Sequence, residues 1–137
     1  MGKGNTTSND VLKCILKAIA PAYNSNATLY VSLHTTDPTA AGNQTAGEVN
    51  YTDYSRRPIT KATGWNDNGL NFTNAALIQF PICGAQQGAI VNYVAIGELT
   101  TLGAGQIYYI GQITSPLVVT TGIQPQFSIG NLQVSES

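Results

Sequence analysis

Charge is scarce in this chain: Asp, Glu, Lys and Arg make up 9% of its 137 residues, against roughly 25% in an average soluble domain. The net charge is −1 and the isoelectric point about 5.6, so no basic field exists to attract nucleic acid, and direct nucleic-acid binding is not expected. Long apolar runs are missing as well. No stretch reaches the roughly 18 residues of a membrane-spanning helix, and the opening MGKGNTTSND is polar where a secretory leader would turn apolar. The expectation is cytoplasmic synthesis with no membrane partner. Cysteine is confined to Cys14 and Cys83, in unrelated contexts. They read as buried thiols rather than a disulfide, and they supply no metal-ligand spacing.

In place of charge the chain carries Thr, Asn, Gln and Ser, beside an ordinary 42% of hydrophobic residues. Hydroxyls and amides can be paired across a contact at much less desolvation cost than ions, so this surface suits a protein buried against neighbours. The length corresponds to one domain, residues 1–137.

Within it, Ser8 or Asn9 can cap a helix over 8–20, whose Val11, Leu12, Ile15, Leu16 and Ile19 form one apolar stripe, with Lys13 and Lys17 on another side and Pro21 as terminator. The segment TLYVSLH, 28–34, alternates apolar and polar residues as a strand with one buried face does. Regularity then lapses through a long loop, 35–53. Strands are expected again over 54–62, 70–73, 76–80, 89–99, 106–113, 117–121, 126–129 and 132–135, separated by Gly, Pro and Asn-Gly signals. The fold class expected is mainly β: an antiparallel β-sandwich or jelly-roll-like barrel over 28–135 with one N-terminal α-helix, which either covers an open end or projects towards a neighbouring subunit.

The scarce charges are not spread evenly. LHTTDPTAAGNQTAGEVNYTDYSRRPI, 33–59, holds the only His, both Arg and three of the seven acids. His34 and Asp37 could serve as base and orienting acid, but no nucleophile on a strained turn accompanies them. Glu48 and Asp53 could form a glycosidase carboxylate pair, but nothing indicates an aromatic-lined groove around them. Calcium held by Asp37, Glu48, Asp53 or Asp67 would need a denser ligand loop. No catalytic residue, metal or cofactor is therefore expected. Arg56 and Arg57 point to opposite faces if they lie in a strand. An inward Arg must be paired, which makes a Glu48–Arg56 bridge at the base of the loop the leading structural expectation and leaves the other Arg for a partner's carboxylate.

The motifs Leu33-His-Thr-Thr-Asp-Pro, Gly47-Glu-Val, Tyr54-Ser-Arg, Phe80-Pro, Gly88-x-x-x-x-Tyr93, Gly-x-Ile-Tyr-Tyr and a terminal Phe-x-x-Gly-x-Leu-x-Val occur in this order between Val11 and Val134. Together they resemble a family of small tailed-bacteriophage virion proteins. The family includes capsid cement or decoration proteins and is often labelled tail-fibre-like. The resemblance implies a non-enzymatic virion component on the capsid exterior, binding the major capsid protein and itself as a homodimer or homotrimer. For Asp37, Pro38, Glu48, Tyr54 and Arg56 it implies a structural signature at the base of a loop. Taken with the charges gathered there, His34, Asp37, Glu48, Asp53, Tyr54, Arg56 and Arg57 are expected to form an interaction loop and its latch. Two alternatives are a tail or tail-fibre component and a carbohydrate-binding module stacking sugars on Trp65, Tyr108 and Tyr109.

Overall fold

The computed structural model describes residues 2–85, 87–98 and 103–136. In chain order these form β1 (Gly2–Lys3), α1 (Asn5–Lys17), a 3-10 turn (Ala22–Ser25), β2 (Thr28–His34), β3 (Arg57–Thr60), β4 (Trp65–Asp67), β5 (Asn71–Asn74), β6 (Ile78–Gln79), β7 (Gln87–Gly97), β8 (Ile107–Thr120), β9 (Gln126–Phe127) and β10 (Gln133–Ser135). The protein is mainly β with one N-terminal helix, and its strands make antiparallel sheets of order β1-β8-β7-β2-β3, β10-β5-β4 and β6-β9. The largest sheet ends in β1 and β3, so it is open rather than closed into a barrel.

Several expected boundaries move. The helix begins at Asn5, behind Gly4, and neither Ser8 nor Asn9 caps it. It ends at Lys17, four residues ahead of Pro21, because Ala18 turns left-handed at φ 54° and its N–H closes onto the Lys13 carbonyl. Cys14 lies exposed on this helix instead of buried, whereas Cys83 is in the core; both are free thiols. The segment around Trp65, which lies in none of the expected strands, is the short strand β4. The strands expected over 106–113 and 117–121 are one long strand, β8. Its ladder with β7 steps from Tyr93↔Gln112 to Val91↔Leu117, so Ile113–Pro116 bulge out opposite Asn92. A bulge is where a sheet tolerates a proline, which has no N–H to give to the ladder. The strand end expected at Leu99 lies outside the described residues.

The register between β2 and β7 pairs Val31 with Ile96 and Leu33 with Val94, and all four belong to the hydrophobic core. Alternate positions place Ser32 opposite Ala95, His34 opposite Tyr93, and Tyr30 opposite Gly97 on the reverse face. That face was expected to meet solvent. Instead Val31 to His34 are all buried, because the chain after β2 folds back across it. Small residues make this possible: a Cβ at Gly97 would overlap the side chain of the fully buried Gln44. Rings extend the core from the loop base, with Tyr51 edge-on to Tyr54, Tyr54 stacked on Phe80, and Phe80 edge-on to Phe127. Each such pair contributes about 0.5–1.5 kcal/mol beyond its area.

Gly97→Ala is expected to destabilise the fold by about 1–3 kcal/mol, as overpacking does when the neighbour cannot withdraw. The measurement is a urea denaturation midpoint, and an unchanged midpoint would show that residue 44 is free to move aside.

Candidate functional site

The loop 35–53 is bonded along its length to the rest of the protein. Its returning arm pairs with the end of β2: Thr35 N–H donates to the Gly47 carbonyl (2.8 Å), Val49 N–H donates to the Leu33 carbonyl (3.0 Å), and His34 and Glu48 form an antiparallel bridge. Gly47 adopts φ 65° where Thr36 crowds any Cβ, so the turn of the arm requires glycine. At the far side, Asn5 N–H at the start of α1 donates to the Ala40 carbonyl (2.7 Å), and Gln44 N–H donates to the Gly105 carbonyl (3.0 Å). Val49, Tyr51 and Tyr54 enter the core, and the Tyr51 hydroxyl donates to the Pro81 carbonyl (2.7 Å).

At the loop base lies a nearly dry ion pair. Arg56 Nε donates to Glu48 Oε2 and Arg56 Nη2 donates to Glu48 Oε1, both at 2.8 Å. The side chains are 0% and 6% exposed. Arg56 Nη2 also donates to the Gly103 carbonyl at 2.9 Å. The Tyr54 hydroxyl donates to Glu48 Oε2 at 2.8 Å while accepting Leu33 N–H at 3.1 Å. Both charges therefore keep hydrogen bonds after losing water, the condition under which a buried pair is tolerated. The bidentate geometry needs a guanidinium; an ammonium would supply the charge without the fork. Burial and the adjacent Glu48 carboxylate hold the Tyr54 hydroxyl far above the usual phenol range, so it stays a donor at any physiological pH.

His34 lies beside this pair and is fully buried. The Ala46 carbonyl can only accept, so Nδ1 carries the proton in their 2.8 Å bond, and the neutral ring's Nε2 accepts the Ser32 hydroxyl at 2.8 Å. Burial, with Arg56 adding to it, outweighs the Ala46 bond and the acids Glu48 and Asp37, and lowers the His34 pKa below its ordinary value. The Ser32–His34 contact has the look of a nucleophile and its base. Both residues are sealed at 0% exposure, which denies a substrate access to either.

The candidate residues thus divide. Glu48, Tyr54, Arg56 and, through the bridge, His34 converge. Asp37 instead accepts Thr39 N–H (2.8 Å) in a local turn at the surface, Asp53 is exposed at φ 75° beside Gly84, and Arg57, in β3 opposite Val31, makes no ion pair among the described residues. Ser32, Ala46 and the Gly103 carbonyl are partners that the sequence reading missed. Ser32 had a signal, being two positions before His34 on the same strand face; the two carbonyls had none. Among the described residues no group of three or more His, Cys, Asp and Glu is placed to hold a metal, and no helix is long and apolar enough to cross a membrane. Trp65 and Tyr109 line one groove, but Tyr108 is buried with its ring edge-on to Tyr23, so the three rings do not form the expected sugar platform.

The family model of the podophage GP4 fiber I protein gp80 matches residues 2–135. The chain belongs to this family. No curated protein matches it. The chain is accordingly a phage virion structural protein homologous to a fibre protein, and the match favours the tail or tail-fibre alternative over the capsid cement role. Membership in a structural fibre family is consistent with a non-enzymatic role.

Two outcomes test the site. Arg56→Ala is expected to cost about 3–5 kcal/mol, because it strands the Glu48 carboxylate away from water. Arg56→Lys should recover only part of this and Arg57→Ala should cost under about 1 kcal/mol; denaturation of the three variants checks the order, and equal losses at 56 and 57 would contradict the assignment. The second concerns pH. With its folded pKa depressed, His34 binds a proton more readily unfolded than folded, so it leaves stability unaffected above the unfolded value of about 6.5 and lowers stability as pH falls below it, by up to about 1.4 kcal/mol per pH unit. Thermal midpoints from pH 7.5 to 5 should fall more steeply for the native chain than for His34→Gln.

Proposed function

We propose that the protein is a structural subunit of the podophage tail-fibre apparatus, present in several copies that contact one another and a neighbouring tail protein. The observation that carries this reading is the family match across residues 2–135. Support comes from the surface: charged residues are few, and Leu12, Ile15, Leu16, Leu70 and Ile129 are exposed, as in a chain that completes its burial on assembly. In this reading the five-stranded and three-stranded sheets act as the two layers of a sandwich. The Glu48–Arg56 latch holds the loop so that its exposed tip, around Asp37 and Thr39, meets a partner in one fixed shape. Arg57 is available to a partner carboxylate. The contacts are preorganised, so little ordering entropy is lost on docking.

Quantitative mass spectrometry of intact virions and of tail-less heads, with gold-labelled antibody in electron microscopy, tests the location. The expected result is a small fixed copy number confined to tailed particles. Hundreds of copies retained on isolated heads would replace this reading with capsid decoration.

A further inference from the structure

Of the apolar surfaces left uncovered among the described residues, two differ in shape. The first is convex. On α1, Leu12, Ile15 and Leu16 are 56%, 73% and 74% exposed, and Ile19 just beyond the helix continues the stripe. The polar side faces inward instead: the Thr7 hydroxyl donates to the Ile107 carbonyl (2.8 Å), and Gln106 Nε2 donates to Thr7 Oγ1 and Asp10 Oδ2. An amphipathic helix ordinarily buries its apolar stripe and leaves the polar one in water. Thr7 is the helix's only buried residue, and 13 residues are marginal as a helix without apolar packing.

The second surface is concave. A groove of about 420 Å3 runs between the five-stranded sheet, which contributes Leu29, Ile96 and Tyr109, and the three-stranded sheet, which contributes Trp65, Phe72 and Val134. At its rim Leu70, on the turn between β4 and β5, is 92% exposed.

We propose that the apolar stripe on α1 of one copy seats in this groove of a second copy. Charge selects the pairing. Lys13 and Lys17, four apart on a flank of the helix, have no ion-pair partner among the described residues, and no charged residue interrupts the stripe itself. Glu136 in the groove lining is already engaged, paired with Lys3 at 2.7 Å and accepting the Tyr109 hydroxyl at 2.9 Å. The acid that meets a lysine is Asp67, held at the rim by accepting the N–H of Gly69, which lines the groove. A lysine-flanked apolar helix therefore meets an apolar groove with an acid at its edge. Because stripe and groove are different surfaces, each copy offers one of each, so copies join head to tail into a ring or a line, or two copies seat their helices in each other reciprocally.

This inference rests on the reading of the chain as a self-contacting fibre subunit, yet it is tested apart from virion location. Analytical ultracentrifugation of the purified full chain is run with Leu16→Asp, which spoils the stripe, with Leu70→Asp, which spoils the groove rim, and with an equimolar mixture of the two. Both positions are solvent-exposed, and circular dichroism confirms that the variants fold. The native chain is expected to show concentration-dependent species above the monomer, and each variant to weaken that association by roughly a hundredfold or more, as a charge left unpaired in an apolar contact does. The mixture should form dimers and nothing larger, since one intact stripe meets one intact groove. A native chain that stays monomeric, a Leu70→Asp variant that associates like the native chain, or a mixture that stays monomeric would each overturn the proposal. Copies found on tails alongside any of these results would remove the stripe-to-groove contact and leave the fibre assignment standing.

Discussion

The architecture around β2 depends on one constraint: Glu48 and Arg56 have left water, and each needs the other. Their ion pair ties the returning arm of the loop to the residue just ahead of β3, and through the Gly103 carbonyl it reaches the connection between β7 and β8. Those points are distant in sequence and adjacent in space. Dehydration makes the tie specific, because a buried guanidinium has few substitutes for a forked carboxylate. Once the arm is fixed, Tyr51 and Tyr54 drop into the core, and the polar face of β2 is closed off above Ser32 and His34.

A loop held in this way behaves as a layer of its own. It lies against a sheet face whose central positions are small or capable of hydrogen bonding, namely Ser32, Ala95, Gly97 and His34. The opposite face of the same strands carries Val31, Leu33, Val94 and Ile96 against the hydrophobic core. One sheet thus supports two kinds of packing, apolar on one side and hydrogen-bonded on the other. The hydrogen-bonded side also contains the chain's one histidine, kept neutral by burial, so protonating it would break the bond that its ring accepts from Ser32.

Much of this was legible in the residues. The strand at 28–34 and the Gly and Asn punctuation after it carry strong local signals, as does the need of an inward Arg for an acid. What escaped was non-local. Alternation in TLYVSLH correctly separates two faces, but it cannot reveal that a later segment covers the polar one. Ser115-Pro116 reads as an interruption because a proline in a strand normally is one, and only the register with β7 shows the bulge that absorbs it. The helix left its placement open: its apolar stripe is real, but periodicity does not say on which side the body of the protein lies. The bond that Thr7 donates to Ile107 and the one that Asp10 accepts from Gln106 fix that orientation, and neither residue stands out in the sequence.

The short bond from Asn5 N–H to the Ala40 carbonyl links the two halves of the chain's behaviour. The first residue of α1 is anchored on the loop, while Gly4 and Thr7 on either side of it bond to Tyr108 and Ile107 of the sheet, so the start of the helix joins loop and sheet. Loop closure and the seating of the helix therefore share one joint, and a change that opens the loop withdraws one of the helix's few supports.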